Sequence, residues 1–218
     1  GTYVESTSIA YGILISRNCY DNMIYAFGRG PSATTISAPS TACVGTWINI
    51  RGTVIDISPG TRYLTRPDVT KTKQNEVALR FPNGVPCVSD ECQSKFMEYV
   101  YQQQPYPENV TGVWVSFDAI APNGTWIHIG GTHTNAYGEY AIPWNPPSEG
   151  LWTLIITFPG SKSYYPSYAQ TTIFVTGQPT APAAPAYTTM DIAIITAVLI
   201  AIVIGVYSIY DHRKLLKK

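Results

Sequence analysis

Few side chains in this sequence are placed to do chemistry. Cys19, Cys43, Cys87 and Cys92 are its four cysteines. Cys87 and Cys92 are separated by four residues and have no histidine near them. That is not zinc-ligand spacing, but it is short enough to close a loop. In an oxidising setting this pair is the first choice for a disulfide and Cys19 with Cys43 the second, other connectivities and free thiols staying open. His128 and His133 flank Gly130-Gly131. A metal pair or a general base needs a third partner, and no carboxylate or cysteine stands beside them in the sequence. Solvent-facing strand positions explain them better. No Gly-x-Ser-x-Gly, His-Glu-x-x-His or phosphate-binding loop occurs. The run Asn135 to Gly138 has only Glu139 as a nearby acid, too little oxygen charge for calcium. The expectation is a protein that is not an enzyme, with no metal and no cofactor.

Modification and recognition offer more. Asn109-Val110-Thr111 and Asn123-Gly124-Thr125 fit the N-glycosylation sequon. Trp144, Trp152, Tyr164, Tyr165 and Tyr168 could form an aromatic platform for sugar. Aromatics at alternate strand positions are usually core, and Trp152 is read that way. Tyr164, Tyr165 and Tyr168, in a Ser/Pro-rich loop, are the candidates for surface recognition.

The elements that must hold these residues follow from composition and pattern. Of the 218 residues only 13% are charged, against about 25% in an average chain. Gly and Pro contribute 17 each, which suits short strands and turns. The formal charge is zero, so nothing marks a nucleic-acid partner. Ile192 to Tyr210 is a run of nineteen residues without a charge. As a helix it spans about 30 Å of hydrocarbon. Ile192, Leu199 and Ile204 lie within the span and Tyr210 at its inner boundary. Arg213, Lys214, Lys217 and Lys218 follow it, and by the positive-inside rule the C-terminus is cytoplasmic and the preceding residues are outside. The lipid bilayer is thus the first expected partner. Segment 190–210 is read as the membrane helix, 211–218 as a basic tail, and 177–189 as a linker. Its Pro179, Pro182 and Pro185 favour extended polyproline II. The chain is expected to begin inside a longer precursor.

Ahead of the linker, alternation predicts an antiparallel sandwich. Val113, Val115, Phe117 and Ala119 share one strand face. Pro122-Asn123-Gly124 turns the chain into a short strand from Trp126 to Ile129, closed by Gly130-Gly131. Further strands are read at Tyr140 to Ile142, at Leu151 to Phe158 with Trp152, Leu154, Ile156 and Phe158 inward, and at Gln170 to Thr176. Thr34 to Ala38 and Trp47 to Ile57 supply the first two strands, which leaves 58–108 as an insert within a domain 31–176. The insert is read as polar and basic at first (Arg62, Arg66, Lys71, Lys73). It ends in a helix near Asp90 to Gln102, with Asp90 as N-cap and Cys92, Phe96, Met97 and Val100 on one face. In residues 1–30, Gly12 to Ser16 and Met23 to Phe27 flank a turn at Tyr20-Asp21-Asn22. Two strands alone are not stable in water, so this hairpin is expected to complete a sheet begun upstream.

The stretch GILISRNCYDNMIYAFGRG resembles the closing repeat of β-propellers of the pyrroloquinoline-quinone-like type. The stretch TACVGTWINIRGTVIDISPG, followed by FMEYVY and GVWVSFDAIAPNGTW, resembles the immunoglobulin-like domain that follows such propellers in archaeal membrane-anchored surface proteins. The resemblance implies a mainly β protein: the end of a propeller, an immunoglobulin-like sandwich with a helical insert, a linker and a single membrane helix. It does not imply that the quinone binds. The expected role is a non-catalytic cell-surface stalk that displays the propeller to an extracellular protein or glycan. The alternatives are the stalk of a membrane-bound quinoprotein-like dehydrogenase, and an adhesin or cell-envelope lattice component.

Overall fold

The computed structural model describes residues 4–19, 22–64, 72–102, 104–178 and 189–215. Outside that range fall the turn residues Tyr20 and Asp21, Arg66 and Lys71 of the insert, linker residues 179–188, and Lys217 and Lys218. The chain divides into two units, Gly1–Gln178 and Pro179–Lys218.

The first unit holds a two-sheet sandwich. Strands β4 (Ser32–Thr34), β6 (Ile48–Asp56) and β9 (Glu139–Trp144) make one sheet, in that order. The other runs β5 (Thr41–Cys43), β11 (Ser167–Thr176), β10 (Gly150–Phe158), β7 (Trp114–Ile120) and β8 (Trp126–His133). All pairings are antiparallel except β5 with β11. This connectivity is immunoglobulin-like. The three-stranded sheet supplies strands A, B and E, and the larger one C′, C, F and G, with the split first strand running parallel to G. The strand expected over Thr34 to Ala38 goes no further on β6, because Pro39 cannot donate to a continuing ladder. The expected stretch stays on β6, through Ser37 as an isolated bridge to Arg51, and the chain beyond Pro39 crosses to β11 as β5.

Alternation puts Val115, Phe117 and Ala119 of β7 and Trp152, Leu154, Ile156 and Phe158 of β10 against Ile50 and Val54 of β6 and Tyr140, Ile142 and Trp144 of β9. Each large side chain so buried contributes ~1.5–3 kcal/mol. Trp144 meets the ring of Trp152 edge-on at 5.4 Å, and the Trp152 indole N–H donates to the Ser148 carbonyl at 2.9 Å. Gly52 admits no side chain, because the Thr35 carbonyl and the Tyr140 hydroxyl occupy that space.

The insert has a core of its own. Helices α1 (Pro59–Leu64) and α2 (Thr72–Arg80), in the stretch read from the sequence only as polar and basic, precede α3 (Gln93–Gln102). Phe96, Tyr99 and Val100 of α3 bury against Val77, Phe81, Val85 and Val88. The signal for α2 was the one-turn spacing of Val77 and Phe81, masked by polar neighbours. Asp90 does not cap α3. Its carboxylate accepts hydrogen bonds from Ser161 Oγ at 2.9 Å and from the Lys162 and Ser163 amides at 3.0 Å, tying the insert to the β10–β11 loop.

The N-terminal segment forms a three-stranded meander, not a bare hairpin. Strand β1 (Val4–Ala10) joins β2 (Ile13–Asn18), which pairs with β3 (Met23–Phe27). Polar Thr7 and Ser8 hid β1 from the sequence reading. Ile9 is 77% and Ile24 71% exposed, and these two lie on opposite faces of the sheet by register.

The second unit contains α4 (Thr189–Leu215). Its stretch Met190–Tyr210 has mean hydropathy 2.8 and no buried side chain. Thr196, the one hydroxyl in its first half, donates back to the Ile192 carbonyl at 2.7 Å and so satisfies itself within the helix.

Candidate functional site

The residues with chemical potential gather on the outer face of the five-stranded sheet. With Val115, Phe117 and Ala119 turned inward, Trp114, Ser116, Asp118 and Ile120 of β7 must face outward. Across the hairpin Ile120 pairs with Trp126 and Asp118 with His128. A simple strand would then send His133, five residues beyond His128, to the opposite face. It does not, because β8 is bulged: the register slips between Phe117 and Asp118, and Gly130 takes φ 147. His133 therefore pairs with Trp114 on the outer face, their rings 5.2 Å apart. The sequence reading closed this strand at Gly130-Gly131. In the structure those glycines carry it on, and the Trp114 ring lies where a side chain on Gly131 would be.

At the middle of the face the His128 Nδ1 and Asp118 Oδ1 atoms stand 2.8 Å apart, while Ser116 Oγ donates to Asp118 Oδ2 at 3.1 Å. The sequence reading gave His128 no carboxylate neighbour, and the structure supplies one across the hairpin. The symmetry of positions 118 and 128 about the Asn123 turn was the available signal. The order Ser–Asp–His is not a nucleophilic relay, because serine and histidine both engage the carboxylate and not each other. What the arrangement offers is a fixed imidazole edge for hydrogen bonding, on a ring that is 63% exposed. Among the described residues no group of three or more His, Cys, Asp or Glu could hold a metal ion.

The aromatic candidates separate. Tyr164 is 1% exposed and belongs to the core, like Trp144 and Trp152, which removes it from surface recognition. Tyr165 and Tyr168 are exposed. Tyr168 pairs with Thr157 on β10, so it shares the outer face with Ser116 and Trp114. Trp114 and Trp126, which the sequence reading passed over as recognition residues, are the exposed tryptophans of that face.

The expected disulfides are not formed, and all four cysteines are thiols. Cys87 is wholly buried in the sandwich core, and burial, with the Asp56 carboxylate nearby, pushes its thiol far up. Cys92 is only half-buried and sits in the insert, where its S–H donates to the Asn109 carbonyl at 3.1 Å and its sulfur accepts from the Thr111 amide at 3.5 Å. Burial raises this thiol, but hydrogen bonds from Ser89 and Thr111 outweigh that and leave it below the ordinary range. The two sulfurs thus serve different cores. Cys43 lies beside Thr176 at 3.8 Å on the β5–β11 edge, whereas Cys19 is in the turn that follows β2 of the meander.

Asn109 and Asn123 are both exposed. Asn123 sits at the β7–β8 tip, its Oδ1 accepting from the Thr125 amide at 3.0 Å. Thr111 of the other sequon has its hydroxyl 2.7 Å from that of Ser89. The Asn135 turn is closed by its own side chain, which accepts from the Tyr137 and Glu139 amides at 2.8 and 3.0 Å. Of the anchor residues, Ile192, Leu199, Ile204 and Tyr210 are exposed along α4, and Arg213 and Lys214 lie in its last turn.

No protein-family model matches the sequence, and no curated protein matches it. Among solved structures, the PKD domain of an M14-like peptidase from a Thermoplasmatales archaeon is similar at 11% identity and TM-score 0.31, covering 67% of this chain and 97% of that one. The CARDB domain of a Pyrococcus furiosus protein in complex with di-metal ions is similar at 10% identity and TM-score 0.33, covering 69% and 91%.

Proposed function

We propose that this chain is a single-span membrane protein whose immunoglobulin-like sandwich is held outside the cell for display and contact, with the C-terminus in the cytoplasm and no catalytic role. The observation that carries this reading is the 21-residue stretch Met190–Tyr210, whose side chains are all exposed. In water such a helix would leave every apolar group solvated, whereas a bilayer solvates it at no cost. Arg213 and Lys214 beyond the span support the orientation. The finer role, display of a β-propeller, draws support from the β1–β3 meander. Three strands with Ile9, Met23, Ile24 and Phe27 exposed are a sheet that a larger β-domain would cover. The partners in this reading are the bilayer and an extracellular protein or glycan. The adhesin reading is favoured by a separate observation, the exposed Trp114 and Trp126.

Membrane fractionation and thiol accessibility test the placement together. The chain is expected to stay in the pellet on alkaline carbonate extraction. In intact cells a membrane-impermeant maleimide is expected to label Cys43 but not a cysteine placed at Lys217. Release by carbonate, or labelling at position 217 alone, overturns the reading.

A further inference from the structure

The outer face of the five-stranded sheet differs from an ordinary solvated sheet face in what lies at its ends and what lies between. Trp114 and Trp126 mark the two ends of the β7–β8 hairpin. They are six strand positions apart, since Trp126 pairs with Ile120, which is about 20 Å at ~3.4 Å per residue. Both rings are exposed, Trp126 at 57%. Between them run rows set by strand register, polar except for Ile155, which is 8% exposed. Gln170, Ile155, Asp118 and His128 form one, and Tyr168, Thr157 and Ser116 the next. The Asp118 carboxylate is used up internally by His128 and Ser116, and its side chain is only 12% exposed. The charge it carries is therefore not offered to a ligand. The His128 imidazole edge, the Thr157 and Tyr168 hydroxyls and the Gln170 amide are offered. No Lys, Arg or Glu occupies an outer position on β7, β8, β10 or β11.

These features select the ligand by chemistry. A nucleic acid or an acidic polymer needs cations, and the face has none fixed. A protein interface places its apolar anchors at the centre and its polar groups at the rim. Here the exposed groups run in the reverse order, with hydrogen-bonding side chains between and a flat ring at each end; Ile155 in the middle is all but covered, and Ile120, Leu151 and Phe174 add apolar area near the Trp126 end. A chain of uncharged sugar rings matches that order. Its C–H faces stack on indole, and its hydroxyls exchange hydrogen bonds with hydroxyl, amide and imidazole groups.

We propose that this face is a binding site for a neutral polysaccharide lying along β7 and β8 between Trp114 and Trp126. The site deepens the contact role proposed above. Binding is measured on purified protein, so it fails or stands independently of membrane orientation.

The test titrates the full chain, in polyoxyethylene-ether micelles free of sugar headgroups, with maltohexaose, cellohexaose, mannohexaose and chitohexaose by calorimetry, and with heparin as the anionic control. Binding of at least one neutral oligosaccharide is expected, without heparin binding. Trp114→Ala and Trp126→Ala should each weaken it about tenfold or more, and His128→Ala by less. Trp47→Ala, an exposed tryptophan outside this sheet, should leave it unchanged. Unaltered circular dichroism of each variant shows that the fold survives. Failure to bind any of the neutral sugars overturns the proposal, as does equal loss in Trp47→Ala or preference for heparin. Light scattering in which the two outer-face tryptophan variants convert a dimer to a monomer, with no sugar bound, also overturns it and makes the face a protein interface.

Discussion

The β2–β3 hairpin of the meander and the β7–β10–β11 part of the sandwich are built from similar material, short antiparallel strands rich in apolar residues. In β10, Trp152, Leu154, Ile156 and Phe158 are all but fully buried. In β3, all five residues are exposed. Propensity and pairing are similar, and the difference is a second layer. The sandwich sheet has β6 and β9 across from it, whereas no described element covers the meander to a comparable degree. Alternation thus specifies a strand, but burial needs a facing sheet. A hydrophobic residue is worth kilocalories in one place and almost nothing in the other.

That contrast is breakable by mutation. The largest effect is expected at the centre of the sandwich. Trp152→Ala should lower stability by about 3–5 kcal/mol, read as a shifted denaturation midpoint of the detergent-solubilised chain by near-ultraviolet circular dichroism. Next comes Tyr140→Phe, which deletes the hydrogen bond from the Tyr140 hydroxyl to the Thr35 carbonyl at 2.5 Å. A loss of about 1 kcal/mol is expected by the same measurement.

Asp56 sharpens the comparison through pH. It sits 6% exposed at the inner end of β6. Burial raises its carboxyl above the ordinary carboxylate range, outweighing hydrogen bonds from Ser58 and Thr61. The folded protein therefore takes up this proton before the unfolded chain does. Stability from this group grows as pH falls through the folded pKa toward about 4 and is lost as pH rises again. Asp56→Asn should be the more stable protein at neutral pH, with the gap to wild type closing on acidification in a pH series of melting curves. An unchanged gap would place the titration elsewhere.

The smallest effect belongs to the meander. Phe27→Ser and Ile24→Ser should each move the stability of this chain by less than about 0.5 kcal/mol, and amides of β1–β3 should exchange far faster than those of β10. A loss of several kilocalories from either substitution would mean that a covering layer exists. Repeating both with any upstream residues attached sharpens the display proposal, since a docked propeller would make the same changes costly.

What was legible in the sequence tracks how local the physics is. The long apolar C-terminal helix and the inward set of β10 follow from one-dimensional pattern, and the structure repeats both. The helix α3 was legible from the spacing of Phe96 and Val100, but its cap was not. Asp90 is a good local cap by type, yet three donors from a loop some seventy residues later compete for it more strongly. Strand β1 was missed because Glu5, Ser6, Thr7 and Ser8 carry no apolar alternation. The Asp118–His128 pair was missed because contacts across a hairpin come from the register its turn sets, and the His133–Trp114 pair because that register then shifts at a bulge. Cys87 was assigned a partner by proximity in sequence, whereas the inward phase of its position sends it into the sandwich core.

That bulge has a wider implication. One surplus residue near Ile129 works as a phase shifter, so the outward or inward fate of everything from Gly130 to His133 hangs on chain length and not on side-chain identity. Straightening the bulge with every residue kept would turn His133 beneath the sheet and lift Thr132 beside the Trp114 ring, whereas deleting Ile129 would leave His133 outward, four positions beyond His128. The surplus residue thus compensates for the odd spacing of the two histidines, and both imidazoles share one surface because of it.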